Sequence, residues 1–311
     1  MKENAEIRKS YFLDKYVIIA PKRDRRPGHR NVRFGQALDL AKDCPFCPDK
    51  IDPKNIIARI NQKKSDDWQV VAIKNIFPAV SLNNQKAFGV QEVIIETPQH
   101  HKKNHELKIE EIKLILEMYQ RRTEDLARNP KLNYILCLKN SGRAAGASLE
   151  HNHSQVFATA IIPKDLEEEE QYVKKYHQQH KSCAYCDIIK KEMGSARKIY
   201  ADKYFAVFSP YASEYQYEVW IFPRRHLDNI SLLSEEELTA LSRIMKALFI
   251  KLNKLDLDFN YFLHNVVPNK NQHLYIKIQP RASIWAGVEL GSGLVVNSIS
   301  PEEAAKYYKF N

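Results

Sequence analysis

No apolar run in this 311-residue chain approaches the ~20 residues a membrane-spanning helix needs. The N-terminal stretch MKENAEIRKS lacks the apolar core of a secretory signal, so a cytoplasmic location is expected. Long Arg/Lys blocks with interleaved aromatics are missing too, although the formal net charge is +10 and the pI about 9.2. Lysines are scattered among glutamates, and the densest basic cluster, PKRDRRPGHR (Pro21 to Arg30), is short. The positive charge therefore points to an anionic substrate or partner more than to nucleic acid. No small-residue loop is followed by Lys-Ser/Thr, which excludes a Walker-type phosphate loop. With 44% hydrophobic and 28% charged residues, the chain is ordinary globular protein, long enough for one large domain or two of common size.

What is present begins with cysteine. Of five, four come as two pairs, CPFC (Cys44, Cys47) and CAYC (Cys183, Cys186), while Cys137 sits in the apolar stretch NYILCLKN and reads as core. In a reducing compartment the Cys-x-x-Cys spacing means metal or redox chemistry. Neither pair lies in a βαβ pattern, as a thioredoxin-like unit would require, so zinc is favoured.

The chain also repeats itself. VVAIKNIFPAV, VQEVIIETPQH, the helical segment ELKIEEIKLILEMYQRR, NYILCLKN and a histidine-bearing strand follow the first cysteine pair in that order. IYADKYFAVFSPYA, YEVWIFPRRH, SEEELTALSRIMKALFIKL, NYFLHNVV and NQHLYIKIQP follow the second. His100 lies 33 residues before Asn133, and His226 lies 34 before Asn260. In the helices, Ile109, Ile112, Leu116 and Tyr119 share one face, as do Leu238, Leu241, Met245, Leu248 and Leu252. Ser234 with Glu237 predicts a capping box. The expected fold is α+β: two tandem half-domains, 1–165 and 166–311, each a strand–strand–helix–strand–strand unit with an antiparallel sheet and a covering helix. The acidic stretch DLEEEEQYVKKYHQQHKS between them reads as a solvated helix or linker.

Zinc takes four ligands, usually Cys and His. The repeat selects Cys44, Cys47, His100 and His151 in one half and Cys183, Cys186, His226 and His273 in the other, hence two zinc ions per chain, mainly structural. The halves differ at SLEHNHSQVFA. In a strand His151, His153 and Gln155 face one way, whereas His273 is followed in step by Tyr275 and Lys277. A structural metal has no need of His153, which makes that imidazole the candidate nucleophile for nucleotidyl transfer. Gln155 is placed to hydrogen-bond a phosphoryl oxygen. The small-residue loop NSGRAAGAS (Asn140 to Ser148) offers backbone N–H groups to a diphosphate, with Arg143 nearby.

These residues resemble the galactose-1-phosphate uridylyltransferase branch of the histidine-triad superfamily over nearly the whole chain. The segments YVIIAPKRDRRP, CPFC, KNIFPA, EVIIETPQH, NSGRAAGASLEHNHSQ and AGVELGSG carry the likeness. The resemblance implies that His151 binds metal, His153 is nucleotidylated and Gln155 steadies the phosphoryl group. It further implies that Arg23 and Arg26 grip the nucleotide phosphates, that Asn75 and Asn140 line the nucleotide site and that Ser148 contacts the departing sugar phosphate. Glu289 would touch sugar hydroxyls from the other subunit of a homodimer. Asn152 replaces the usual proline between the histidines, Ser154 follows them and Glu150 precedes them; HNHSQ looks closer to the ADP-glucose phosphorylase relatives. The expected reaction moves UMP between UDP-glucose and a hexose 1-phosphate such as galactose 1-phosphate by a ping-pong route. The alternative is an ADP-glucose phosphorylase-like adenylyl transfer to phosphate. A rival of another class, a zinc-stabilised nucleic-acid-binding protein, lacks the recognition-helix spacing of zinc fingers.

Overall fold

The computed structural model describes residues 6–9, 16–19, 44–62, 65–265 and 272–310. In chain order the first strands are β1 (Glu6–Lys9), β2 (Tyr16–Ile19), β3 (Ile56–Asn61), β4 (Trp68–Lys74) and β5 (Gly89–Ile95). Helix α1 (Ile109–Ala127) leads to β6 (Tyr134–Ser141) and β7 (His153–Thr159), then to helices α2 (Lys164–His180) and α3 (Ala184–Met193). The second half continues with β8 (Lys198–Ala201), β9 (Phe205–Phe208), β10 (Val219–Pro223), α4 (Glu235–Lys254), β11 (Phe259–His264) and β12 (Tyr275–Pro280). Two short helices, α5 (Gly287–Ser292) and α6 (Pro301–Tyr308), follow.

β1 and β2 pair with each other, and the other ten strands form one antiparallel sheet in the order β3-β4-β5-β7-β6-β11-β12-β10-β9-β8. Read from its two ends the order is the same in each half, so the repeat in the sequence is a repeat in topology. The halves meet where β6 pairs with β11, with Asn140 opposite Asn260. Within the ten-stranded sheet each half carries one strand more than the sequence pattern indicates, and β1 and β2 of the first half stand apart from it. β3 and β8 are the edge strands, and register shifts against β4 and β9 break the clean alternation that would have marked them.

Alternation assigns the faces. On β4, Val70 and Ala72 face the helices, and Val71 and Ile73 face the other way; all four are buried. α1 and α4 cover the first face, and their apolar stripes join strands of both halves in one core. Leu238, Leu241, Met245, Leu248 and Leu252 are all buried, as their spacing predicts. The capping box is present too: Glu237 N–H donates to Ser234 Oγ (3.3 Å) and Ser234 N–H to Glu237 Oε2 (2.8 Å). The opposite face holds two smaller clusters. On the second half it is roofed by α2 and α3, so the acidic stretch is a helix that buries Val173 rather than a mere connection. On the first half the same face packs against Phe46 and Ile51 of the segment that follows Cys44, and it carries His153 and Gln155 of β7.

Candidate active site and metal centre

Cys47 N–H donates to the Cys44 carbonyl (3.2 Å) and Lys50 N–H to the Cys47 carbonyl (2.9 Å), a tight knuckle that turns both thiols to one side. His100, just past β5, brings its Nδ1 to 3.4 Å from Cys47 Sγ. His151 places Nδ1 3.6 Å from Cys44 Sγ and 3.8 Å from Cys47 Sγ, while its Nε2–H donates to the Thr97 carbonyl at 2.8 Å. Zn–S bonds of about 2.3 Å and Zn–N bonds of about 2.0–2.1 Å at tetrahedral angles set sulfur and nitrogen about 3.5 Å apart, so this spacing fits zinc. Burial, with the charge of Cys47 adding to it, pushes the Cys44 thiol up to about 11, so it needs a cation beside it to ionise near neutrality. The Thr97 carbonyl fixes the ring of His151 from behind, as metal-bound imidazoles usually require.

In the second half Cys183, Cys186 and His226 converge, with Cys186 Sγ 3.7 Å from His226 Nδ1. The fourth expected ligand stands slightly apart. The His273 ring centre is 5.0 Å from that of His226, its Nδ1–H donates to the Leu274 carbonyl (2.9 Å), and its buried Nε2 has no hydrogen-bond partner. That orphaned nitrogen is the atom a metal would use. Tyr275, in step with His153 of the first half, is buried, stacks on His264 at 4.4 Å and donates its hydroxyl to Glu169 of α2 at 3.0 Å. The corresponding position in this half is therefore filled with aromatic rings and roofed over.

His153 opens β7 on the face away from α1 and α4 and is only 7% exposed. Its Nδ1–H donates to the His151 carbonyl at 2.8 Å, which leaves the Nε2 lone pair as the reactive nitrogen. Burial lowers its pKa to about 4, and the Lys139 charge adds to the effect, so the ring is neutral at physiological pH. Phe46 packs against it at 5.0 Å between ring centres. Gln155 is oriented by Gln91, a residue 64 positions away in the chain. Gln91 Nε2 donates to Gln155 Oε1 (2.8 Å), and Gln91 Oε1 accepts from Ala79 N–H (2.9 Å), so the Gln155 amide group is the end left to donate.

Two cavities meet at His153. One, of 180 Å³, is lined by Phe46, Asn75, Phe77, Val93 and Gln155 among others; the other, a cleft of 510 Å³, by Lys102, Lys103, Asn140, Arg143 and Glu150 among others. Ser148, Leu149 and His153 belong to both linings. Asn75 and Asn140 thus lie on different sides of the nucleophile. Asn75 Oδ1 is occupied locally by Phe77 N–H (2.9 Å), and Asn140 Oδ1 accepts from Asn260 Nδ2 (2.8 Å). The basic stretch HKKNH, His101 to His105, lines the cleft wall and stands outside the residues the sequence pattern singles out. Glu289, on α5, is in neither lining, and its carboxylate accepts from the N–H groups of Ala286 and Val296. Arg23 and Arg26 lie outside the described residues.

The loop from Asn140 to Ser148 is less open to a diphosphate than its small residues suggest. The N–H groups of Ala144, Gly146 and Ala147 are already committed, to Asp258 Oδ2 (2.7 Å), the Arg143 carbonyl and the Gly142 carbonyl. Gly142 is required: its φ is +87° and a Cβ there would sit 1.7 Å from Asp258 Oδ1.

Residues 2–163 match the galactose-1-phosphate uridyl transferase family over its N-terminal domain, and 94–307 match a domain of unknown function, DUF4921. The chain belongs to the galactose-1-phosphate uridyl transferase family. It is 27% identical to an ADP-glucose phosphorylase of Arabidopsis thaliana over 98% of this chain and 92% of that one. It is 25% identical to a galactose-1-phosphate uridylyltransferase of Thermotoga maritima over 97% and 96%. The crystal structure of an Arabidopsis thaliana ADP-glucose phosphorylase with bound ADP-glucose superposes with a TM-score of 0.78, at 27% identity over 98% of this chain and 99% of that one. A uridylyltransferase structure superposes with a TM-score of 0.81, at 27% identity over 98% and 97%. This member of the family is a uridylyltransferase-like enzyme. Its α+β architecture, one antiparallel sheet covered by helices, superposes on both structures over nearly all of their chains. Among the described residues no helix is long and apolar enough to cross a membrane.

Proposed function

We propose that this enzyme moves a UMP group between UDP-glucose and a hexose 1-phosphate such as galactose 1-phosphate, through a nucleotidyl intermediate on His153. The observation that carries the reading is the imidazole of His153, with Nδ1 bonded to the His151 carbonyl, at the junction of an apolar pocket and a basic cleft. The pocket beside Phe46 and Phe77 suits the base and ribose, and the cleft beside Lys102, Lys103 and Arg143 suits the sugar 1-phosphate. Nε2 attacks the α-phosphorus, an N–P bond forms, and the P–O bond to the sugar phosphate breaks with its electron pair leaving on oxygen. Gln155 donates to the phosphoryl oxygen as charge builds there, and Ser148 contacts the departing sugar phosphate. Arg23 and Arg26 hold the nucleotide phosphates. The second substrate then reverses the step.

When bound, a zinc ion at Cys44, Cys47, His100 and His151 cross-links the scaffold and serves no redox step. Those four residues fix the segment that ends in His153, while Cys183, Cys186, His226 and His273 would hold a second, structural ion. Glu289 belongs to a homodimer contact in this reading. Ile284, Val288, Leu290, Leu294 and Val296 around it are all more than half exposed, an apolar stretch that a monomer rarely displays. A cytoplasmic setting accords with cysteines used as metal ligands and not in disulfides. A second reading, transfer of adenylate from ADP-glucose to phosphate, is favoured by the HNHSQ spelling and by the Arabidopsis relative. Nucleic acid has no comparable support, since the candidate nucleophile is enclosed.

Incubation with α-32P-labelled UDP-glucose or ADP-glucose tests both. Acid-labile label on the protein with one sugar, and none on His153→Ala of intact fold, is the expected result. Label from neither, or equal label on His153→Ala, would overturn the reading.

A further inference from the structure

Lys139 is 1% exposed on β6, on the helix-facing side of the sheet, and lines neither cavity. Its Nζ donates to Glu96 Oε2 (2.5 Å), Asn152 Oδ1 (2.5 Å) and the His153 carbonyl (3.0 Å), so its three protons have three acceptors. A buried ion pair is a poor way to gain stability, because desolvation offsets most of the attraction and apolar replacements often do as well. What distinguishes this lysine is what it touches besides Glu96.

The β6–β7 ladder runs from Tyr134 opposite Thr159 to Leu138 opposite Gln155 and stops there. On that side the chain reaches His153 with no strand partner, and the ammonium takes the carbonyl that the ladder leaves. On the other side Ile95 of β5 pairs with His153, and Glu96 N–H donates to the Asn152 carbonyl at 3.1 Å. The segment is thus held between β5 and the head of one lysine. Because His153 Nδ1–H donates to the His151 carbonyl, the ring takes its direction from the main chain of these same residues.

We infer that Lys139 is a positioning residue for His153: its ammonium holds the Asn152 side chain and the His153 main-chain carbonyl and so aims Nε2 at the phosphorus. The inference rests on His153 being the nucleophile. Lys139 approaches from beneath the sheet and has no route to substrate, so its effect passes through the histidine alone.

The test uses Lys139→Met/Glu96→Gln, which removes both charges and leaves no unpaired buried ion; should it fail to fold, Lys139→Arg keeps the charge but not the three-acceptor geometry. The single-turnover rate of label transfer from the nucleotide sugar should fall about ten- to a hundredfold, the size of effect expected when a reacting group is misaimed. KM and the final amount of label should stay within about twofold of the parent. A second arm places the same substitutions in His153→Gly supplied with free imidazole, which needs no clamp; there the rescued rate should hardly change. An unaltered transfer rate, or an equal loss in the imidazole-rescued protein, overturns the inference. Absence of label on the unmodified enzyme would instead defeat the nucleophile reading itself.

Discussion

The two nitrogens of His153 have different employments, and the division is reversed at His151. Nδ1 of His153 is spent on the His151 carbonyl and Nε2 faces the cavities, whereas His151 turns Nδ1 to the thiols and spends Nε2 on Thr97. Strand parity made the shared direction of His151, His153 and Gln155 legible, because a two-residue period needs only local sequence. Gln91 was not legible, since it reaches Gln155 from 64 positions away across the β5–β7 pairing. If Gln91 sets which end of the Gln155 amide faces the phosphate, Gln91→Leu loses one hydrogen bond, of order 0.5–1.5 kcal/mol. That corresponds to about a two- to tenfold lower kcat, with metal content unchanged. A kcat equal to that of the parent enzyme would mean that Gln155 needs no such support.

Between elements, the second half shapes the first. β11 lies against β6, and beside that junction Asp258 accepts from Ala144 N–H while Asn260 Nδ2 donates to Asn140 Oδ1 and to the Ala145 carbonyl, both at 2.8 Å. The loop that walls the basic cleft is therefore built on side chains from the half that carries no nucleophile. Asp258→Ala removes a charge-assisted hydrogen bond, of order 1.5–3 kcal/mol at most, from a loop at the surface. We expect kcat/KM to fall by about tenfold, mainly through KM for the sugar 1-phosphate, with the melting temperature shifted by only a few degrees. A normal KM with a large drop in melting temperature would make Asp258 a stability residue only. Helices α1 and α4 could be read from their stripes, and α4 from its Ser234–Glu237 cap, because period and cap are local signals. The edge strands β3 and β8 could not, since bulged pairing leaves no regular alternation; nor could the role of α2, which depends on the face it roofs.

Across the molecule, the repeat predicts two metals with unequal consequences. Cys44→Ser should lose one metal equivalent and lower both melting temperature and kcat, because that centre braces the strand carrying His153. Cys183→Ser should lose the other equivalent and lower the melting temperature while kcat holds, since Tyr275 fills the matching position there. Elemental analysis beside steady-state rates decides it, and equal losses of kcat in the two variants would contradict the division of roles. The repeat also suggested two half-domains, 1–165 and 166–311, yet the physical links across that boundary are those of a single core. Ten strands form one sheet, α1 packs beside α4, and Leu116, Cys137, Leu248 and Ile276 belong to the same apolar cluster. The Tyr119 and Tyr261 hydroxyls, from opposite halves, meet at 2.7 Å in the interior. Separating the halves would expose the long unpaired edges of β6 and β11 together with the inner flanks of both helices, a cost neither half could meet alone. Unfolding should therefore be one transition, with calorimetric and van't Hoff enthalpies in agreement and far- and near-UV circular dichroism superimposed. Two resolved transitions, or a cooperatively folded fragment 166–311, would show that the halves are independent after all.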